Sequence, residues 1–514
     1  MKLNVMIGGA LIAFALASAA HAQATAKAKV QPNAKSNPPP TVILIRPASE
    51  PNPALKYRLV PERRELVPGN AALFYHRAIL MLMQKRVAEQ IASKNQPVNA
   101  HPPAAQTPPE SPEMAIARLS SCPVAEFHPD EARRLLQPYE TTLHEVELGA
   151  IRQACDWEFD LRKEGIMLLL PEIQEMRSLA RLVNVKIRLA VFDQKTDLAL
   201  HWIQVQGSIA RHVAEGPTII QALVGIAIAN IFFQPLEELI QNPGVPSLYW
   251  ALAARPRPFV DLSHAVDGER TLLERELPSL NDLHSGPWSV ERARGFSDEL
   301  YTKLTTISGH SPFGAGGSNA SVNAFMTKLA FSALVMKGYP EAKRALIAQG
   351  KSPAEIEATP AVQVVAIHSL GKYNQVRDDV YKWISIPYPQ AESRIDKAME
   401  KIQAKGPGSD PLLAMFALLV PALKSVRIAE VRTDRRLDAI ECVEAIRMYA
   451  SAHRGTLPET LEAMIDSPAP IDVATGKSFV YEKHGDSATL SAPLIPGGPD
   501  HPAFRIRYEL KLVK

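Results

Sequence analysis

"RTDRRLDAIECVEAIRMYASAHRGTLPETLEAM", residues 432–464, is the stretch whose reading decides the fold. Leu437, Ile440, Val443, Ile446 and Ala450 recur at helical spacing, so one face of a long helix is apolar. Gly455 follows His453 and Arg454, where a helix end calls for a residue at positive φ after basic side chains. "LPETLEAM" predicts a second, short helix. Further on, β-branched and aromatic residues flank Gly485-Asp486, which predicts a hairpin, and "AFRIRYELKL" predicts a last strand. A long helix, a short helix and a three-stranded antiparallel sheet make a small α+β module over residues 411–514.

Within that module Thr475-Gly476-Lys477-Ser478 ends like a phosphate-binding loop. That loop needs a glycine five positions before Gly476, where Ile471 stands, and a helix after it, where a hairpin is predicted. Nucleotide binding through these residues is excluded.

Upstream the pattern is helix after helix. "NAALFYHRAILMLMQKRVAEQIASK" starts at Gly69-Asn70, giving a first helical segment over 56–94. A Pro-rich linker covers 95–113, and a helical body runs over 114–410. Pro138 breaks one of its helices, and "PEIQEMRSLARLVNVKIRLAVFDQ" with "DLALHWIQVQGSIARHVAE" predicts a helical hairpin. "PTIIQALVGIAIANIFFQPLEELIQ" is apolar on nearly every face, and Pro217 and Pro235 bracket too short a run for a span, so a buried central helix is expected. Ser352-Pro353 and Thr359-Pro360 predict helix entries. No repeat recurs at a fixed spacing. The fold class is therefore mainly α, a non-repetitive, solenoid-like body of helical hairpins with the C-terminal α+β module.

The N-terminus predicts a compartment. Lys2, an apolar stretch from Val5 to about Ala19, and Ala20-His21-Ala22 form a signal peptide over 1–22, cleaved after Ala22. Export through the Sec pathway to the periplasm or beyond is expected, with no integral span after cleavage. Residues 23–55 begin as a Pro-, Lys- and Ala-rich tether and continue in the extended piece "TVILIRPASEP". The 514 residues carry 57 basic and 54 acidic side chains, a formal charge of +3, which implies no nucleic-acid partner. Charges of both signs alternate along the helices, the pattern of solvated faces. Three cysteines, Cys122, Cys155 and Cys442, are too few for a disulfide framework. Cys122 and Cys155 could pair after export; small buried apolar residues are the preferred reading.

The C-terminal module resembles the soluble part of type II secretion pseudopilins and related type IV pilin-like proteins. "LDAIECVEAIRMYASAHRGTLPETLEAM" and "IDVATGKSFVY" carry the resemblance. It implies a long helix running into a turn at Gly455 to Pro458, and a loop in which Asp472, Gly476 and Tyr481 open the sheet. In pilins the helix stands at the chain's start, whereas here it lies some four hundred residues in, so pilus assembly is not implied. Most of the mature chain resembles a family of exported helical proteins of planctomycete-type bacteria. "PALKYRLVPERRELVPGNAALFYHRAI", "CDWEFDLR", "ARHVAEGPTIIQALVGIAIANIFFQPLEELIQ" and "RTDRRLDAIECVEAIRMYASAHRGTLPETL" carry that second resemblance, which implies no activity.

Chemistry is sparse. The sequence has no His-Glu-x-x-His, Gly-x-Ser-x-Gly, Cys-x-x-Cys or acidic calcium loop. His144 and Glu147 share a helix face, but two ligands do not make a metal site, and neither metal nor cofactor is expected. "CDWEFDLR" is the most suggestive polar cluster: Asp156, Trp157, Glu158 and Asp160 could line a carbohydrate or cationic ligand site. The glycine- and serine-rich loop at 308–320, with His310, is a second candidate. An exported, non-enzymatic interaction or cell-envelope scaffold with a protein partner is expected. The alternatives are an exported hydrolase with its cleft near 156–160 or 308–320, and a secretion-system accessory protein.

Overall fold

The computed structural model describes residues 40–94, 110–161, 170–308, 320–405, 411–501 and 504–513. β1 (Thr41–Ile45) and β2 (Val67–Asn70) precede α1 (Ala71–Lys94), which Asn70 caps by accepting the Ala72 N–H at 3.0 Å. Then come α2 (Pro112–Leu119), α3 (Pro129–Leu136), α4 (Glu140–Ala150) and β3 (Arg152–Ala154). Pro138 sits in the 3-10 turn that separates α3 from α4, as expected. α5 (Pro171–Phe192), α6 (Thr196–Ala214), α7 (Ile219–Ile231), α8 (Phe233–Ile240) and α9 (Tyr249–Ala253) follow. Next are α10 (Ser263–Arg270), α11 (Leu272–Glu276), α12 (Val290–Ser308), α13 (Ala320–Ala348), α14 (Pro353–Glu357), α15 (Ala361–Tyr381) and α16 (Tyr388–Lys405). α17 (Pro411–Ala452) leads into β4 (Ile471–Asp472), β5 (Lys477–Ser478), β6 (Val480–His484), β7 (Ser487–Ala492) and β8 (Ile506–Leu512). The fold is mainly helical with a small sheet, the class the sequence predicts.

Two compact units divide the chain, and they cut it differently from the expected segments. The larger holds Asn37–Glu158, Leu170–Ala265 and Val426–Lys514; the smaller is built chiefly on Val266–Ser425. No break falls at 411, because α17 runs unbroken through Pro421 and its second half belongs to the larger unit. Nor is 41–45 a tether. It pairs in parallel with β8, Ile43 opposite Leu510 and Ile45 opposite Leu512, and both isoleucines are buried. The antiparallel β6–β7–β8 sheet thus has a fourth strand, in the order β1-β8-β7-β6. Partnering of β1 with a strand more than four hundred residues away leaves no local trace in sequence.

In the larger unit α5 and α6 form the expected hairpin, turning at Gln194 with φ 57°. α7 packs on both, and α1 packs on α4. A Cβ on Gly149 would lie 2.7 Å from the Tyr75 ring, so only glycine permits the α1–α4 approach. Ile219–Ile240 is long and apolar enough to cross a membrane; it divides into α7 and α8 at Phe232, and most of it is buried. The second short helix expected after Gly455 is only a 3-10 turn at Leu461–Ala463. Gly455 itself has φ 73° and donates to the Ala450 carbonyl at 2.8 Å, closing α17 as its position predicts.

The second half of α17 departs most from expectation. Leu437, Ile440, Val443 and Ile446 are buried, but so are Glu430, Asp434, Arg435, Asp438, Glu441, Glu444 and Arg447. The mixed charges here are not a solvated face. Arg255 pairs with Asp438 and Glu441, and the Phe259 N–H donates to Asp434 at 2.9 Å. Arg436 grips Glu237, which also accepts from the Tyr508 hydroxyl at 2.7 Å. Arg435 pairs with Asp472 at 2.9 Å. Arg447 donates to Glu444 at 2.6 Å, to the Val245 carbonyl at 2.9 Å and to the Arg46 carbonyl at 3.1 Å. The second Glu444 oxygen accepts from Ser247 at 2.9 Å and from the Leu248 N–H at 2.6 Å.

In the smaller unit α13 and α15 pack together, and α15 packs on α16. Ser352 caps α14, accepting from the Glu355 N–H with Pro353 in the first turn, as the sequence predicts. Pro360 instead occupies the cap position of α15.

Two outcomes follow from the embedding of α17. Truncation after Ser425 removes the partners of Arg255, Glu237 and Val245 together with three strands of the sheet. The remaining chain is expected to lose the cooperative unfolding transition of the full-length protein in circular dichroism. Glu444→Ala leaves Arg447 buried without its carboxylate and is expected to cost about 3–5 kcal/mol, read from denaturant midpoints.

Candidate functional site

The segment 152–158 is fixed to the start of α1 through backbone groups. β2 and β3 pair in parallel, Val67 opposite Arg152. Asn70 donates to the Asp156 carbonyl at 2.7 Å and accepts the Asp156 N–H at 2.9 Å, so one side chain both caps α1 and orders the loop. Asp156 Oδ1 accepts the Glu158 N–H at 2.8 Å, closing a tight turn in which Glu158 takes φ 54°.

That turn separates the four residues the sequence grouped. Asp156, Glu158 and Asp160 are exposed, whereas Trp157 is only 6% exposed. The Trp157 ring stacks on Tyr75 at 6.1 Å and meets the edge of His76 at 5.2 Å. It anchors the loop to α1 and presents no face to a surface ligand. The local reason is the turn: with the Glu158 N–H held by Asp156 Oδ1 and Glu158 at φ 54°, Trp157 goes inward as its acidic neighbours go out. The other candidate loop lies mostly outside the described residues, His310 included.

Beneath Trp157 is a closed polar group. The Tyr75 hydroxyl and His212 Nδ1 are 2.8 Å apart, and His212 also bonds the Arg152 backbone. Burial lowers the His212 pKa to about 4, so the ring is neutral. Burial likewise raises the Tyr75 phenol and the Cys155 thiol, and raises the Glu215 carboxyl against the pull of Arg211 and His264. None of this resembles an activated nucleophile: the thiol is protonated and enclosed. Cys122, Cys155 and Cys442 are all free and buried, the preferred reading.

His144 and Glu147 lie 3.7 Å apart as their spacing implied, and the fold adds His201 at 2.6 Å from Glu147, which the local sequence did not reveal. Among the described residues no group of three His, Cys, Asp or Glu side chains is placed to hold a metal ion.

The surface feature that sequence reading missed is on α1 itself. Leu73 (59% exposed), Leu80, Met83, Val87 and Ile91 all face water. Their spacings of seven, three, four and four residues put them on one helix face, a stripe about 27 Å long at 1.5 Å per residue. Ala71, Tyr75, Ala78, Ile79 and Leu82 fill the opposite, buried face. α1 is thus apolar on two faces, and among the described residues only one has a neighbour in the core. The available signal was composition: "LFYHRAILMLMQKRVAEQI" has more apolar residues than one core stripe needs. Glu145 lies 3.7 Å from Arg77 at the rim of the stripe.

No family model matches the chain, and no curated protein or solved structure matches it.

The Tyr75–His212 contact carries a pH dependence with a definite sign. The unfolded chain takes up a proton at His212 below about pH 6.5, whereas the folded protein resists it down to about pH 4. Stability from this site is therefore complete above pH 6.5 and lost as pH falls from 6.5 towards 4. His212→Asn lacks this titration. The stability advantage of the wild type over it should shrink by up to about 3 kcal/mol across that window, measured by urea unfolding at a series of pH values.

Proposed function

We propose that the protein is a non-enzymatic interaction or cell-envelope scaffold that docks a protein partner on the exposed face of α1. The single observation that carries the reading is the five-residue apolar stripe, Leu73 to Ile91, on a helix whose other face already completes the core. A continuous exposed apolar surface of this kind is the mark of an interaction site on a soluble body, and an amphipathic partner helix reads such a face through residues at i, i+3, i+4 and i+7.

Export supplies the setting. The N-terminal Lys2, the apolar run and Ala20-His21-Ala22 support Sec-dependent secretion with cleavage after Ala22, to the periplasm or beyond. The pilin-like reading of the C-terminal module is kept as a second docking surface. It is supported by the Tyr481 hydroxyl donating to the Pro458 carbonyl at 3.0 Å, and by the Gly476 N–H donating to the Asp472 carbonyl at 2.8 Å. These bonds tie the turn after the long helix to the sheet-opening loop.

The test is crosslinking and recovery of tagged full-length protein from its native envelope, beside the double variant Leu80→Gln, Val87→Gln. Both side chains are exposed, so the variant should keep its unfolding midpoint within about 0.5 kcal/mol. A near-stoichiometric protein recovered with the wild type, and reduced at least tenfold with the variant, is the expected result. Recovery of the wild type alone, or equal recovery of a partner by both, refutes docking through α1.

A further inference from the structure

A cavity of about 430 Å³ in the smaller unit lies between the end of α15 and the middle of α16. Trp383 supplies an aromatic wall, with Lys382 from the same turn. Arg394, Lys397 and Glu400 come from successive turns of α16, and Asp379 from the last turn of α15. The indole is half-buried, held by backbone bonds that close the end of α15: Trp383 N–H to the Val380 carbonyl at 3.2 Å, Lys382 N–H to Asp378 at 3.1 Å.

Not all the charges in this cavity are neutralised in pairs. Lys382 is paired with Asp379. Arg394 and Lys397 are exposed, and among the described residues neither has a carboxylate within ion-pair distance. The Arg394 guanidinium lies 5.9 Å from the indole centroid, and the Lys382 ammonium 5.7 Å. At the outer limit of cation–π attraction, the long Arg394 side chain is held loosely and can close on an anion.

The mixture of groups selects among anions. A polyphosphate or a nucleotide would meet the Asp379 and Glu400 carboxylates in the same cavity, at a cost of like-charge repulsion. A flat aromatic anion would gain from a second apolar wall, and among the described residues Ala398 is the only other apolar side chain in the lining. A sugar acid fits all the parts. One face of a pyranose ring is lined with C–H bonds and packs on an indole, whereas its rim of hydroxyls donates to carboxylates and stays hydrated in an open cavity. Its acidic group finds Arg394, whose planar fork suits a carboxylate or sulfate, and Lys397.

We propose that this cavity binds an anionic saccharide, with Trp383 against the sugar face, Arg394 and Lys397 on the acidic group, and Asp379 and Glu400 accepting hydroxyls. The proposal is independent of docking through α1, which involves other residues.

The experiment is isothermal titration of the full-length protein with hexagalacturonate, a heparin-derived hexasaccharide and neutral maltohexaose. The expected result is saturable binding of at least one acidic oligosaccharide, at least tenfold tighter than maltohexaose. That affinity should fall at least tenfold in Trp383→Ala and in the Arg394→Gln, Lys397→Gln pair, with unchanged circular dichroism. All three side chains are partly or wholly exposed, and should one variant fail to fold the other still gives the readout. Preference for the carboxylated or the sulfated probe identifies which acid the site takes. Absence of saturable binding by both acidic probes, equal binding of maltohexaose, or affinities unchanged in folded variants overturns the proposal.

Discussion

The larger unit hangs on one buried ion pair, Glu444 with Arg447. The two stand one turn apart on α17 and are almost completely enclosed, at 0% and 1% side-chain exposure. Charges so placed are costly to desolvate unless every polar atom is met, and here the meeting partners come from two distant chain segments. Arg447 takes the carbonyls of Arg46 and Val245, and Glu444 takes Ser247 and the Leu248 N–H. The Ala48 N–H returns a bond to the Arg447 carbonyl at 3.2 Å. The pair fixes the exit of β1 and the approach to α9 on the same turn of the same helix. β1 is then in place to extend the sheet, and its outer edge is closed where the Leu44 N–H donates to Gln241 at 3.0 Å. A side chain bonded to a sheet edge in this way blunts it as a template for another chain.

The remaining charges on α17 are balanced less completely. Burial raises Asp438 to about 6 and Glu430 to about 7, in each case against the pull of an arginine, Arg255 or Arg427, and with the help of Asp434. Both carboxyls hold a proton in the folded protein at pH values where the unfolded chain has lost it. Their contribution to stability is therefore greatest in acid and declines as pH rises from the ordinary carboxylate range through 6 and 7. His212 works in the opposite direction, since its neutral buried ring loses stability as pH falls from 6.5 towards 4. The opposed slopes overlap between about pH 4 and 6.5, which flattens the response of the fold there.

Local rules were legible wherever one element carries its own evidence. The Asn70 cap, the Pro138 break, the α5–α6 hairpin, the Ser352-Pro353 entry and the Gly455 terminus all follow from residues within a turn of the feature. What was illegible depends on distant partners. "RTDRRLDAIECVEAIR" reads as an amphipathic helix with a charged face in water because Arg255, Glu237 and Asp472, which meet those charges, lie from 37 to 199 positions away. β1 reads as a tether for the same reason. The candidate site failed differently. "CDWEFDLR" has the right side chains for a ligand, but the turn at Asp156–Glu158 sends Trp157 inward and its acidic neighbours outward. Trp383, by contrast, has Lys382 beside it in sequence, but Arg394 and Lys397 reach it only because α16 folds back on α15.

The exposed stripe on α1 calls for a cause, and folding does not supply one. A surface helix needs a single apolar face, which Ala71, Tyr75, Ala78, Ile79 and Leu82 already provide. Helix propensity could account for Leu73, Leu80 and Met83, since leucine and methionine rank among the good helix formers. It does not account for Val87 and Ile91, whose branched β-carbons lose side-chain freedom in a helix. Those two are also 53% and 55% exposed, so their burial returns little to the core. Solubility argues against five apolar side chains in line on a helix surface, because a patch of that extent promotes association. Propensity, burial and solubility each disfavour valine and isoleucine at these positions, and the docking proposed above would give all five residues something to stabilise.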